Sequence, residues 1–254
     1  MVESVSIGIP KLDRILLNGV PRGYTILVKG TPGSGQELFA KQFASVGSIA
    51  ESVVYITSNE RAEEVRAIMQ SYHWPTNLEI IDIATEYYEK VLLREQEISR
   101  IRRDGFGVAD LLRLNEDAEG RHRETDANFL NELNFEVTNM KPPFRVVIDS
   151  LDFFLEHYPN EDVLSCIRTI KAHTHHNLSV TLLTMNAKSY SPQIENSVDA
   201  IVDCVIELDV QQMASEFETR MIVRKLRNYP NKTAILTYSI TEKGITPEMV
   251  SRIT

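Results

Sequence analysis

Two cysteines in 254 residues, Cys166 and Cys204, leave no basis for a disulfide framework, and a reducing compartment is the simpler expectation. No run approaches the roughly 18 apolar residues of a membrane span. The N-terminus has no apolar core behind a basic start, so the chain reads as soluble and cytoplasmic. Positive charge is in deficit: 27 Lys and Arg against 36 Asp and Glu give a net charge of -9. That balance speaks against a general nucleic-acid surface, while a local basic patch stays open. No internal repeat is visible. What remains is an ordinary globular composition, 43% apolar and 25% charged, in a chain long enough to bury a sizeable core.

The most informative stretch is Gly30-Thr31-Pro32-Gly33-Ser34-Gly35-Gln36-Glu37. The apolar run Tyr24-Thr25-Ile26-Leu27-Val28 enters it, and the helical pattern Leu38-Phe39-Ala40-Lys41-Gln42-Phe43 leaves it. A strand, a glycine-rich turn and a helix in that order form a phosphate cradle, in which backbone N–H groups and the helix dipole hold an anion. Both glycines of G-x-x-x-x-G-K-[ST] stand at the right spacing, but Gln36 takes the lysine position and Glu37 the hydroxyl position. A neutral amide cannot replace a charge-assisted bond of roughly 1.5–3 kcal/mol to the phosphates. Glu37 puts a carboxylate where a hydroxyl ligates Mg²⁺, against a triphosphate of the same sign. As a purely structural residue, Glu37 suits the first turn of a helix and can pair with Lys41 four residues on.

Further landmarks follow in order. Ser52-Val53-Val54-Tyr55-Ile56-Thr57 and Leu78-Glu79-Ile80-Ile81-Asp82-Ile83 read as strands, and a polar helix follows Ser58-Asn59-Glu60. Residues 85–127 are charged throughout and hold the basic clusters Arg100-Ile101-Arg102-Arg103 and Arg121-His122-Arg123. They read as a helical insertion with a solvated face, or as a contact for a partner or nucleic acid. Phe144-Arg145-Val146-Val147-Ile148-Asp149-Ser150 is an apolar strand ending in an aspartate, the form that holds Mg²⁺ in P-loop proteins. A strand over 179–185 closes with Thr184-Met185-Asn186, a strand is expected over 199–208, and strands over 219–227 and 232–240 form a pair. His173, His175 and His176 crowd a helix end, with no further ligand at metal spacing.

Ser6-Ile7-Gly8-Ile9-Pro10-Lys11-Leu12-Asp13, Gly19-Val20-Pro21-Arg22-Gly23 and the loop itself together resemble the opening of KaiC-like proteins of the RecA superfamily. The resemblance continues in Lys225-Leu226-Arg227, which matches the family's "KxR", and in Thr241-Glu242-Lys243-Gly244-Ile245, which matches its "TxxGI". It implies an α/β RecA-like fold with a mostly parallel central sheet flanked by helices and a C-terminal antiparallel hairpin, in one domain over residues 1–254. It implies ATP or ADP with Mg²⁺ in the cradle at residues 30–37, Asp149 on the metal, and Thr184 or Asn186 as γ-phosphate sensors. The family's acidic pair aligns with Asn59 and Glu60, so Glu60 is left as the group to activate water. Lys225 and Arg227 would reach across a subunit boundary to a neighbour's γ-phosphate, which implies a homo-oligomer such as a hexamer.

The substitutions at Gln36, Glu37 and Asn59 favour a weak or non-hydrolysing nucleotide-binding regulator or scaffold. An active ATPase using a displaced cation such as Lys29, a DNA-binding accessory protein, and a site repurposed for a peptide or protein partner stay open beside it.

Overall fold

The computed structural model describes residues 3–47, 51–93, 96, 99, 100, 103, 128–213 and 216–248. In chain order the elements are β1 Ser4–Val5, α1 Pro10–Ile15, β2 Val20–Pro21, β3 Thr25–Gly30, α2 Gln36–Ser45, β4 Ser52–Thr57, α3 Ala62–Ser71 and β5 Glu79–Asp82. Next come α4 Ile83–Tyr87, which runs on as a π-helical turn over Tyr88–Leu92, then α5 Phe129–Thr138, β6 Phe144–Asp149, α6 Asp152–His157, α7 Asn160–His176 and β7 Val180–Asn186. The chain closes with α8 Pro192–Ile201, β8 Cys204–Met213, β9 Glu216–Leu226, β10 Ala234–Thr241 and β11 Gly244–Glu248.

Nine strands form one sheet in the order β11-β10-β9-β8-β3-β7-β6-β4-β5, and β1 with β2 forms a separate ribbon. From β8 to β5 every neighbour pairs parallel, while β9, β10 and β11 pair antiparallel at the other end. All six residues of β3 are buried, as a parallel strand covered on both faces requires. Alternation sorts its side chains: Ile26 and Val28 join Phe39, Phe43, Tyr55 and Val147 on one face, and Leu27 joins Ile148, Leu183 and Val205 on the other. The expected α/β architecture with antiparallel C-terminal strands is therefore present.

Four differences from the sequence reading have local causes. Asp199-Ala200-Ile201 lies in a helix, because Ser191 accepts a hydrogen bond from Ile194 N and Pro192 stands at the first helical position, so the strand begins only at Cys204. Strand β11, which begins inside the "TxxGI" stretch, is not among the expected strands; it pairs Ile245 with Ile240 and buries Ile245. Helix α6 and the β1–β2 ribbon are too short to show a period. Of the charged stretch 85–127, residues 85–93 continue α4 as helix, and Arg94, Arg102, Arg121 and Arg123 lie outside the described residues.

One charged group is built deep into this frame. Arg145, 1% exposed, bonds Glu51 at 3.1 Å, donates to the carbonyls of Ser6 and Phe43, and stacks over the Phe43 ring at 4.4 Å. Burial lowers the Arg145 pKa, and Glu51 works against that shift by charge and hydrogen bond. Removing the carboxylate leaves a buried guanidinium with carbonyl partners only. Glu51→Leu should therefore lower stability by about 3–5 kcal/mol in urea unfolding, the usual result of breaking a buried pair from one side. A loss under about 1 kcal/mol would show that solvent reaches the arginine.

Candidate functional site: a glycine-rich cradle without its cation

The parallel strands end together on one edge: Gly30 of β3 stands in register with Asn186 of β7 and Leu208 of β8, and Asp149 of β6 with Thr57 of β4. Strand ends at such an edge, beside a helix N-terminus, are where α/β sheets bind ligands. The chain turns at Gly30 because nothing larger fits there. A Cβ would lie 2.5 Å from Ser34 Oγ and 2.6 Å from Gln36 Oε1. Gly33 and Gly35 take φ values of +81° and +80°, which favour glycine. Thr31 N donates to Leu208 O at 3.1 Å, Ser34 N to Thr31 O at 3.0 Å, and Tyr238 OH to Ser34 O at 2.5 Å. The loop is thus closed by its own hydrogen bonds, and α2 starts from it at Gln36.

Around the loop and the strand ends the polar groups are arranged for one another. Gln36, 5% exposed, donates from Nε2 to Asn186 Oδ1 at 2.8 Å. Its Oε1 and the hydroxyl of fully buried Ser34 have no hydrogen-bond partner. Asp149, 3% exposed, accepts on one oxygen from Thr184 Oγ1 at 2.6 Å and on the other from the Tyr55 hydroxyl. Burial, then the charge of Asp149, holds the Tyr55 phenol far above its ordinary pKa, so it acts as a donor. Asn59 Nδ2 bonds Ser150 Oγ at 3.1 Å and so ties β4 to β6.

Glu60 meets Lys41, which the sequence offers as a partner for Glu37. Its Oε2 lies 2.7 Å from the ammonium of Lys41, which is 1% exposed, 3.4 Å from Glu37 O and 5.8 Å from the centre of the Tyr55 ring. Lys41 therefore pairs with Glu60, and it meets Glu37 through the backbone carbonyl instead of forming the side-chain pair expected for that spacing. The signal was available: Lys41 sits among Phe39, Ala40, Phe43 and Ala44, all buried, so a cation had been written into an apolar face. The Glu37 carboxyl reaches solvent at the mouth. Desolvation nevertheless raises its pKa, its own backbone N–H opposes the rise, and the negative charges of Asp149 and Glu60 add to it.

The other cations lie elsewhere. Lys29, 4% exposed, is held by Asp199 at 2.8 Å, Glu207 at 3.4 Å and Glu195 at 3.7 Å, so it cannot serve as a displaced phosphate-binding lysine. Burial opposes its charge, but the hydrogen bond and charge of Asp199, with Glu207 and Glu195, outweigh that and raise its pKa. Lys225 stands opposite Val205, toward the end of the sheet away from Gly30, and donates to the carbonyls of Asp199, Ala200 and Val202 at the end of α8. Arg227 bonds Asp203 at 3.0 Å. Both turn to one corner, and within the chain neither joins the cradle.

Around the cradle three carboxylates, Glu37, Glu60 and Asp149, face one ammonium. A P-loop holds Mg²⁺ by a hydroxyl after the lysine and by the aspartate of the neighbouring strand. Here the hydroxyl is gone and both oxygens of the aspartate accept from protein donors, so that set does not fit the metal in the usual way. Among the described residues no group of three or more His, Cys, Asp or Glu could hold a metal ion, and no helix is long and apolar enough to cross a membrane.

Comparison with known proteins gives the family and the fold. The family model "ATPase: KaiC" matches residues 5–249. The chain belongs to the KaiC ATPase family. A UPF0273 protein of Thermotoga maritima is 27% identical, with 96% of each chain covered, and one of Pyrococcus furiosus is 25% identical over 96% of this chain and 94% of its own. Among solved structures, a KaiC-like protein of Pyrococcus horikoshii superposes with a TM-score of 0.67 at 23% identity, over 98% of this chain and all of that one, and shows the shared fold. The family carries nucleotide binding with Mg²⁺ as its general character.

Tyr55 is the donor on which the buried Asp149 depends most closely from β4. Tyr55→Phe should lower stability by about 1–3 kcal/mol, the desolvation cost of an acceptor left unpaired, with no change of fold by circular dichroism. Unchanged stability would mean that water replaces the phenol and that the pocket is wet.

Proposed function

We propose that this KaiC-family chain is a weak or non-hydrolysing nucleotide-binding protein, a single RecA-like unit that works as a regulator or scaffold within a homo-oligomer. The observation that carries the reading is the state of Gln36: the residue in the lysine position is neutral, and its amide is engaged by Asn186. Glu37 beside it, Asn59 in the acidic pair and the pairing of Glu60 with Lys41 point the same way. An acid bonded to a buried ammonium has one oxygen fewer with which to take a proton from water. Lys225 and Arg227, distant from the chain's own cradle, serve assembly in this reading.

The test is phosphate release from Mg-ATP by the purified full-length chain. The expected rate lies within twofold of buffer alone. Restoring the motif with Gln36→Lys and Glu37→Thr should tighten ATP at least tenfold by calorimetry, the equivalent of about 1.4 kcal/mol from one charge-assisted bond. Steady turnover by the natural chain, abolished by Asp149→Ala, would sink the proposal.

A further inference from the structure

Away from the cradle the sheet ends at β5. Among the described residues β5 pairs with β4 alone, in a register that runs from Val54 opposite Glu79 to Thr57 opposite Asp82. A strand paired on one side turns alternate N–H and C=O groups outward, so the free side of Glu79–Asp82 offers a row of backbone donors and acceptors.

A groove runs along that edge. Its outer part, about 450 Å³, is bounded by Ala62 and Glu63 at the start of α3 and, across β5, by Thr85, Glu86 and Glu136 of α4 and α5. A second hollow of about 250 Å³ adjoins it, shares Ile81, Glu86 and Glu136 with it, and is floored by Ile56, Ile83 and Leu133. Ile56 and Ile81 stand in register on neighbouring strands and present apolar surface together. That volume is below the roughly 300–1,000 Å³ of a small-molecule pocket and suits a single apolar side chain. Shortness and charge are ways of blunting an edge against pairing, but blunting needs no apolar hollow beside it.

The rim is acidic, and among the described residues no lysine or arginine lines either hollow. Lys90 approaches from the turn that follows α4 and bonds Glu86 at 3.0 Å and Glu132 at 3.4 Å. Glu63, Glu79 and Glu136 form no ion pair among the described residues. An unpaired strand edge, a hollow for one apolar side chain and three unmatched carboxylates describe a particular occupant. It is an extended peptide in which basic residues alternate with apolar ones, since successive side chains of a strand point to opposite faces. The sign of the rim opposes nucleic acid.

We propose that the β5 edge is a docking site for a basic, extended segment of a partner protein, which adds as a strand beside Glu79–Asp82 and seats one apolar side chain over Leu133. Backbone pairing supplies the alignment, and the carboxylates of Glu63, Glu79 and Glu136 select the charge. Docking there does not require nucleotide in the cradle.

The probe is a short fluorescent peptide that alternates lysine with valine, capped at both ends and titrated into the full-length chain by anisotropy. It should bind saturably, one peptide to one chain. Glu79→Lys with Glu136→Lys should weaken it at least about tenfold, and so should methylation of alternate backbone nitrogens of the peptide, which leaves its charge intact. A peptide that alternates glutamate with valine should not bind. No binding of the lysine peptide, equal binding by the double variant, or equal binding of the methylated peptide would each overturn the proposal, the last by showing attraction without strand pairing. Self-association of the chain that the double variant abolishes and that excludes the peptide would also overturn it, by giving the edge to a second copy. Should the double variant fail to fold by its melting curve, the methylated peptide on the natural chain decides.

Discussion

The absence of a side chain at Gly30 governs this site more than any charge does. The strand at the centre of the parallel sheet ends there, and a single added carbon would collide with both Ser34 and Gln36. The chain folds back over its own strand end, which brings Ser34, Gln36 and the start of α2 together beside Asn186 and Leu208. The burial of Ser34 and Gln36, the approach of Tyr238 and the direction of the helix dipole all follow from that turn. Side-chain identity there is a second matter, decided by residues the turn does not constrain.

Charge was redistributed within the fixed shape. Each of three lysines in this part of the fold has a definite employment: Lys29 holds three carboxylates, Lys225 caps the carbonyl end of α8, and Lys41 neutralises Glu60. A lysine in the middle of such a set is not free to move to a phosphate, because leaving would strand carboxylates in a poorly hydrated place. None of these three lysines is therefore free to take the place that Gln36 occupies in the loop.

The fold could be read from the sequence because its signals are redundant. β-branched runs at β4 and β6, the buried run at β3 and the loop glycines each point to the same parallel sheet, in an order that agrees with the family the chain belongs to. The site was legible by position and less so by contact. Gln36, Glu37, Glu60 and Asp149 do gather at one edge, as the motif order implies. That Asp149 would be held by Tyr55 and Thr184, or that Glu60 would pair with Lys41, depends on which faces of β4, β7 and α2 meet across the layers. Tyr55 reads as one more large residue in an apolar strand. The misplaced strand at Asp199 shows the same limit: the apolar run 200–202 fits a helix end and a strand start alike, and the Ser191-Pro192 cap decides.

Persistence of the cradle has a structural explanation that is independent of chemistry. Gln42, on the helix that leaves the loop, donates to Gly8 O and accepts from Ile245 N, so α2 joins the N-terminal turn to β11. Ile240 of β10 packs so close to Gly35 that a Cβ there would lie 2.9 Å from it, and Tyr238 holds Ser34 from the same strand. The loop and its helix are thus a joint through which the first and last elements of the chain are packed. Changing Gln36 or Glu37 alters two side chains at the mouth, whereas changing Gly30 or Gly35 would disturb that joint. The glycines are therefore required by the fold whether or not a lysine stands beside them.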